Sequence, residues 1–381
     1  SSRVGSPYVP CAMSAHAQAS ANGANGSNGA NGSSAHNGAA SMETDEVTVI
    51  IDAGSTCLRC GLAGDDQPRV RIPCEFSGRR QSDVSDGGEA PRLRCPLEGG
   101  VVKHWDAMEA LWRRAFAELN VDPRGAAVML SEAVGNPAPA REKTTQIFFE
   151  KLGARALYLA PAAVLRTYAA GRTTALVLDV GDRRASAVPV HEGFALTAAT
   201  VALPVAGRDV TAHLQKALRV DEAAARAVKE SACAVRGGGA DEAALPATYT
   251  LPDGTVISLG DERFAAPEVL FTASPAAPQA VVDAVGKCDK DYAKELYPAL
   301  LLAGGSTLLP GFGLRLHAGV LALAPTSKAT LADAPHRLTG GFVGASILTS
   351  ITAFTAMFVS RADYDAKGGR VVHDKCPASG C

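Results

Sequence analysis

The ordered pattern opens at VTVIIDAGST, where β-prone residues from Val47 run unbroken into Asp52 and a turn containing Gly54. From Lys103 to Leu119 the spacing becomes helical: Trp105, Met108, Trp112, Ala115 or Phe116, and Leu119 fall on one face. A strand is predicted at Ala126–Leu130, then a loop and the helix-like REKTTQIFFEKL (Arg141–Leu152). Residues 156–159 read as a strand, and Ala162–Ala170 as a helix stopped by Gly171. ALVLDVGD (Ala175–Asp182) then repeats the opening theme, an apolar strand running into Asp and Gly. Strands alternating with helices predict an α/β fold, and the two strand-Asp-x-Gly segments suggest an internal duplication.

Length adds a second domain to this picture, because 381 residues exceed one ordinary core. A 47% hydrophobic share with 20% charged residues fits a globular protein. The formal net charge of −2 supplies no basic field for direct nucleic-acid binding. No apolar run reaches the length of a membrane span, and the first residues lack the segments of a secretory signal. The 9 cysteines are odd in number and scattered, which predicts reduced thiols in cytosol or nucleus. Cys57 and Cys60 form a lone C-x-x-C in a strand-like stretch, without a second pair, and read as coincidence. Residues 1 to about 42 are Ala, Gly, Asn and Ser with Asn-Gly repeats. Such a segment, counted as a tail through residue 46, is expected to be disordered, with Met42 as an alternative start. The N-x-S patterns at Asn25 and Asn31 carry no meaning without secretion.

The candidate chemistry lies in Asp52-Ala53-Gly54-Ser55 and Asp179-Val180-Gly181-Asp182. A strand ending in a Gly-containing turn brings backbone N–H groups close to a phosphate, because no side chain blocks the approach. The Asp closing each strand cannot bond an anion directly, but it can hold the waters of a Mg²⁺ that bridges phosphates. Two such hairpins face to face would clamp a triphosphate. A single D-x-G is usually a structural turn. The pair, about 127 positions apart and each after a buried strand, is the stronger signal. No G-x-x-x-x-G-K-[ST] loop occurs, so the chain is not a P-loop enzyme.

At this point the sequence resembles a family. DAGSTCLRCGLAGDDQPR (Asp52–Arg69) resembles the first phosphate loop of actins, and Tyr158–Asp182 the actin segment leading into the second. His191–Leu214, Leu301–Leu316, Gly341–Asp365 and Val371–Cys376 continue the likeness, which spans about Val47 to Cys376. It implies an actin-like ATPase fold, ribonuclease H-like duplicated domains with a nucleotide cleft between two lobes. The first lobe would take residues 47–162 plus 341–381, and the second 163–340.

The resemblance also implies site residues and cofactors, ATP or ADP with Mg²⁺. Phosphate contacts fall to Gly54, Ser55 and Arg59, the last at a position usually Lys, where a planar fork replaces a compact ammonium. Asp52 and Asp179 stand at the Mg²⁺-organising carboxylates, acting through water. Gly181 and Asp182 match the second loop and a ribose contact, and Gly207, with Arg208 and Asp209, the turn beside it. Lys229 and Glu230 become base and ribose candidates, although residues alone would make them a solvated helix face. Gly304, Gly305 and Ser306 match the adenosine motif, where Gly lets the chain approach the nucleotide and start a helix.

The departures are as informative. Actins position the attacking water with Gln and His, where this chain has Ala162 and Ser186. Leu309 replaces an aromatic residue and Leu338 a Lys on the adenine side, and Gly99 replaces a His over the phosphates. Arg183 replaces a Gly in the second hairpin, either obstructing the backbone cradle or adding a charge toward phosphate. The subunit-contact loop is shortened at about 79–95, and stretches near 218–226 and 271–288 are trimmed.

An ATP-binding cytoskeletal or scaffold protein with very slow hydrolysis and weakened self-polymerisation is therefore expected, at most a weak ATPase. The alternative is a conventional filament-forming actin ATPase. A sugar- or acid-kinase relative lacks both a carboxylate base and a substrate insertion here. Partners would be other actin-family subunits or actin-binding proteins, with no membrane and no nucleic acid directly. The resemblance places the protein in cytoplasm and cytoskeleton, with the nucleus as a further compartment. The apolar residues Ile347, Ile351, Phe354 and Phe358, on a helix predicted over Ala345–Val359, serve either a partner-binding groove or the core.

Overall fold

A computed structural model describes residues 47–77, 93–239, 244–251 and 253–377. The predicted N-terminal tail and most of the shortened loop lie outside these residues. The chain opens with β1 (Thr48–Ala53), β2 (Cys57–Leu62) and β3 (Val70–Pro73), an antiparallel meander. Two small ribbons follow, β4 (Phe76–Ser77) with β5 (Leu93–Arg94), and β6 (Leu97–Glu98) with β7 (Val101–Val102). Next come α1 (Trp105–Leu119), β8 (Ala127–Glu132), α2 (Ala138–Gln146) with a π-helical turn through Leu152, β9 (Ala156–Pro161) and α3 (Ala162–Ala169). β1, β8 and β9 are parallel neighbours, buried along most of their length. That burial explains why their sequences are apolar runs instead of alternating ones.

The second sheet begins with the hairpin of β10 (Ala175–Val180) and β11 (Ala185–His191), then β12 (Phe194–Ala195) and β13 (Val201–Leu203). Helices α4 (Gly207–Leu218) and α5 (Glu222–Ala232) follow, and the short ribbon of β14 (Thr248–Thr250) and β15 (Val256–Ser258). Four helices then precede the next strand: α6 (Glu262–Ala265), α7 (Val269–Thr272), α8 (Ala277–Gly286) and α9 (Lys290–Leu296). β16 (Leu300–Ala303) returns parallel to β10, and α10 (Phe312–Leu323) packs behind it. The chain ends with α11 (Gly340–Thr349), α12 (Thr352–Thr355), β17 (Val359–Ser360), α13 (Arg361–Lys367) and α14 (Val371–Lys375). β17 pairs with β9, so the first sheet runs β17-β9-β8-β1-β2-β3 and the second β12-β11-β10-β16, with β13 also on β11.

Each sheet has its own apolar core. One surrounds Val49, Ile51, Trp112, Phe148, Leu157 and Phe342; another surrounds Leu176, Val210, Val228, Val281, Leu302 and Phe312. The described residues nevertheless form one compact unit. The C-terminal segment is tied back through buried Arg141, whose Nε donates to Glu132 at 2.9 Å and whose Nη2 donates to the Cys376 carbonyl at 2.7 Å. Cys57 and Cys60 are buried on β2 as thiols, not joined in a disulfide. Among the described residues no helix is long and apolar enough to cross a membrane.

The predicted helix over Ala345–Val359 is broken. Thr349 and Ser350 turn their hydroxyls back onto the carbonyls of Ala345 and Ser346, each at 2.8 Å, a bond that competes with helix continuation. The chain re-forms a single turn as α12 and then extends into β17. The apolar quartet is divided accordingly. Phe354 and Phe358 are buried against Tyr158, whereas Ile347 and Ile351 are exposed.

Candidate functional site

The two hairpins, β1–β2 and β10–β11, place the candidate residues at the ends of buried strands. In the first, the Gly54 N–H donates to the Cys57 carbonyl at 3.1 Å. A Cβ on Gly54 would stand 3.3 Å from Arg59 Nη1, so the turn and the guanidinium are neighbours. Ser55 lies in the same turn, and its carbonyl accepts from Cys95 Sγ. Asp52 is buried: Ser131 Oγ donates to Oδ1 at 2.6 Å, and Arg59 Nη1 lies 3.9 Å from Oδ2. The glycine-led start of α11 presses on the same carboxylate, since a Cβ on Gly341 would sit 2.6 Å from Asp52 Oδ1. A helix N-terminus there adds positive potential beside the carboxylate.

In the second hairpin the Gly181 N–H donates to the Arg184 carbonyl at 2.9 Å. The Gly181 carbonyl accepts from the Gly207 N–H at 2.9 Å and from Ser306 Oγ at 3.3 Å. The Arg208 N–H reaches the Asp182 carbonyl at 2.7 Å. Any Cβ on Gly207 would collide with Ser306 Oγ, which explains glycine at the head of α4. Gly304, at φ +85°, passes against Val180 and the Asp179 carboxylate in a conformation only glycine adopts freely. Gly305 faces Leu338, and Leu309 is buried beyond it.

Lys229 is buried on α5, not solvated. Its Nζ donates to the Gly207 carbonyl at 3.1 Å and Thr211 Oγ1 at 2.9 Å, and lies 4.0 Å from Asp182 Oδ1. Burial pushes the ammonium pKa down, and the charge of Asp182 works against that. The structure thus brings Gly181, Asp182, Gly207, Lys229 and Ser306 into one bonded cluster. Glu230, the next residue on α5, is exposed and stands outside that cluster. Ala162 opens α3, and Ser186 is buried on β11 directly across from Asp179.

Four charged residues that the sequence does not single out complete the arrangement: Glu75, Arg166, Arg184 and Arg226. Glu75, just after β3, accepts from both terminal nitrogens of Arg226, at 3.0 and 2.9 Å, and from Arg183 Nη2 at 3.3 Å. Arg183 therefore points across the seam between the two sheets. Arg166, on α3, places Nη1 3.0 Å from Asp179 Oδ2. Arg184 is pinned by the carbonyls of Gly99 at 3.0 Å and Val134 at 2.8 Å. The sequence signal for Arg166 is no more than a lone charge inside the apolar run AAVLRTYAA.

Around Asp182 several buried polar atoms have no hydrogen-bond partner: Asp182 Oδ2, Arg183 Nε, Arg208 Nη1 and Arg226 Nε. Arg183 Nε and Asp182 Oδ2 lie 3.7 Å apart, too far for a hydrogen bond, and the unbonded N–H donors of Arg208 and Arg226 beside the glycine cradle would suit an acceptor-rich ligand. A phosphorylated nucleotide fits that donor set. The metal side fits less well, because Asp52 and Asp179 are already held by Ser131, Arg59 and Arg166. Among the described residues no three His, Cys, Asp or Glu side chains gather as a metal site.

Two sheets, each opened by a strand-Asp-x-Gly hairpin and joined through α3 and α11, define an actin-like ATPase fold. The actin family model matches residues 44–225 and 220–377, and the chain belongs to the actin family.

Proposed function

We propose that this chain binds an adenine nucleotide at the seam between its two hairpins, hydrolyses it very slowly, and acts as a cytoskeletal or scaffold protein with weak self-assembly. The orphaned donors of Arg183, Arg208 and Arg226 beside the Gly181–Gly207–Ser306 cradle carry this reading. Arg183 and Arg226 are also tied to Glu75 and Arg208 to Glu222, so a phosphate chain would take up the N–H groups these carboxylates leave unbonded. Gly54, Ser55 and Arg59 would meet that chain from the first hairpin, with Gly304, Gly305 and Lys229 on the nucleoside side. The separate cores of the two sheets support two lobes, 47–162 with 341–381 and 163–340, with α3 bridging them since Leu165 packs in the first core.

Slow hydrolysis follows from the residues around the expected γ-phosphate. In-line attack depends on positioning a water. Ala162 offers no polar group, and Ser186 is a short hydroxyl fixed within β11. Partners would be actin-family subunits or actin-binding proteins, in cytoplasm and cytoskeleton or in the nucleus.

Equilibrium titration of the purified chain with ATP and ADP tests the reading, followed by single-turnover phosphate release. ATP should bind, and phosphate release should be at least ~100-fold slower than for a conventional actin. The double substitution Ala162→Gln, Ser186→His should raise the rate by about 10- to 100-fold. Absence of nucleotide binding by a folded protein, or release at a conventional actin's rate, would refute the proposal.

A further inference from the structure

The carboxylate of the second hairpin is half-buried and already paired on one oxygen. Asp179 Oδ2 is paired with Arg166 Nη1 at 3.0 Å, and the Oδ1 side is closed by Gly304, where a Cβ would stand 2.7 Å away. Arg166 is built into this position: its stem lies along Gly340, where a Cβ would meet Arg166 Cγ at 3.4 Å. Arg184 adds a second guanidinium to the field of Asp179, held by two backbone carbonyls. In the first hairpin, Ser131 Oγ bonds Asp52 Oδ1 at 2.6 Å and Arg59 Nη1 lies 3.9 Å from Oδ2.

We propose that this chain binds its nucleotide without needing a divalent cation, the Arg166 guanidinium standing beside Asp179 where a hydrated metal would otherwise be held. The proposal rests on the nucleotide-binding reading above. A hydrated Mg²⁺ needs carboxylates free to accept from its waters, and it carries two positive charges. Here it would compete with Arg166 for Asp179 and with Ser131 for Asp52, beside walls that carry Arg59, Arg166 and Arg184. A guanidinium has donors on several edges, so Arg166 can keep one toward Asp179 and turn another to a phosphate oxygen. Such a contact transfers no proton and changes no bond; it replaces one source of positive charge by another.

Calorimetric titration of ATP into the full chain, once with Mg²⁺ and once with EDTA, tests this directly. The two dissociation constants should agree within about twofold, and Arg166→Gln should weaken binding in EDTA by at least about tenfold. Arg166→Lys, which keeps the charge, should recover part of that loss. Wild-type affinity lower by about tenfold or more in EDTA would overturn the inference while leaving nucleotide binding intact. Failure to bind in both buffers, by protein with an unchanged melting curve, would instead sink the nucleotide reading. Should Arg166→Gln not fold, the wild-type comparison alone still separates these outcomes.

Discussion

Glu75 carries one negative charge between two guanidinium groups, and its energetics belong to that single side chain. Burial alone would raise its carboxyl pKa; the hydrogen bonds and charge of Arg226, then of Arg183, outweigh this and hold it below the usual range. A carboxyl lowered on folding contributes stability that is whole above its unfolded pKa and is lost as pH falls through the folded value. Glu75→Gln should therefore cost about 1–3 kcal/mol at neutral pH. The melting-temperature gap from wild type should shrink as pH drops below about 4.3. A gap independent of pH would show that the clasp is not ionic. The sequence leaves Arg183 two readings, obstruction of the cradle or an added phosphate charge. Its Nη2 bond to Glu75 shows a third use, a tie between the halves. No local pattern announces such a pair, because Glu75 and Arg183 lie 108 positions apart.

At the scale of elements, α3 and α11 are the joint between the two sheets. Their backbones approach so closely that a Cβ on Gly344 would fall inside the Leu165 carbonyl. Gly344→Ala should destabilise the protein by about 3 kcal/mol, since neither helix can retreat without unpacking a sheet. Gly286, at the end of α8, has open space around its Cα, and Gly286→Ala should change stability by no more than about 1 kcal/mol. Denaturant midpoints of the two variants test the contrast, and equal losses would refute it. The helical spacing of α1 is readable because Met108, Trp112 and Phe116 form a stripe facing one core. The end of α11 is not, since apolar residues continue past Thr349. What stops the helix is hydroxyl back-bonding together with the demand of β17 for Val359 opposite Leu157.

For the whole molecule, self-assembly is the property at stake. The shortened loop lies mostly outside the described residues, so weak assembly is expected from the sequence's shortened and trimmed contact loops. Ile347 and Ile351 present apolar surface, while Phe354 and Phe358 are spent on the core. In ATP and polymerising salt the purified chain should stay in the supernatant after high-speed centrifugation and sediment as a small species. Recovery of most of the protein in a filamentous pellet would favour the conventional filament reading.

The sequence by itself determined the alternation of strands and helices, the two Asp-x-Gly hairpins and membership of the actin family. Each of these is written in local runs: apolar strands buried on both faces, glycine where a turn must pass close to its neighbour. The tertiary structure decided which charges meet. Asp179 ends a strand as expected, yet its partner Arg166 comes from a different helix, and Lys229 is buried because α5 packs against the head of α4. A periodic pattern reports which face of an element is apolar. It cannot report which cation another element delivers to that face, and here that delivery sets the charge at the ends of the two hairpins.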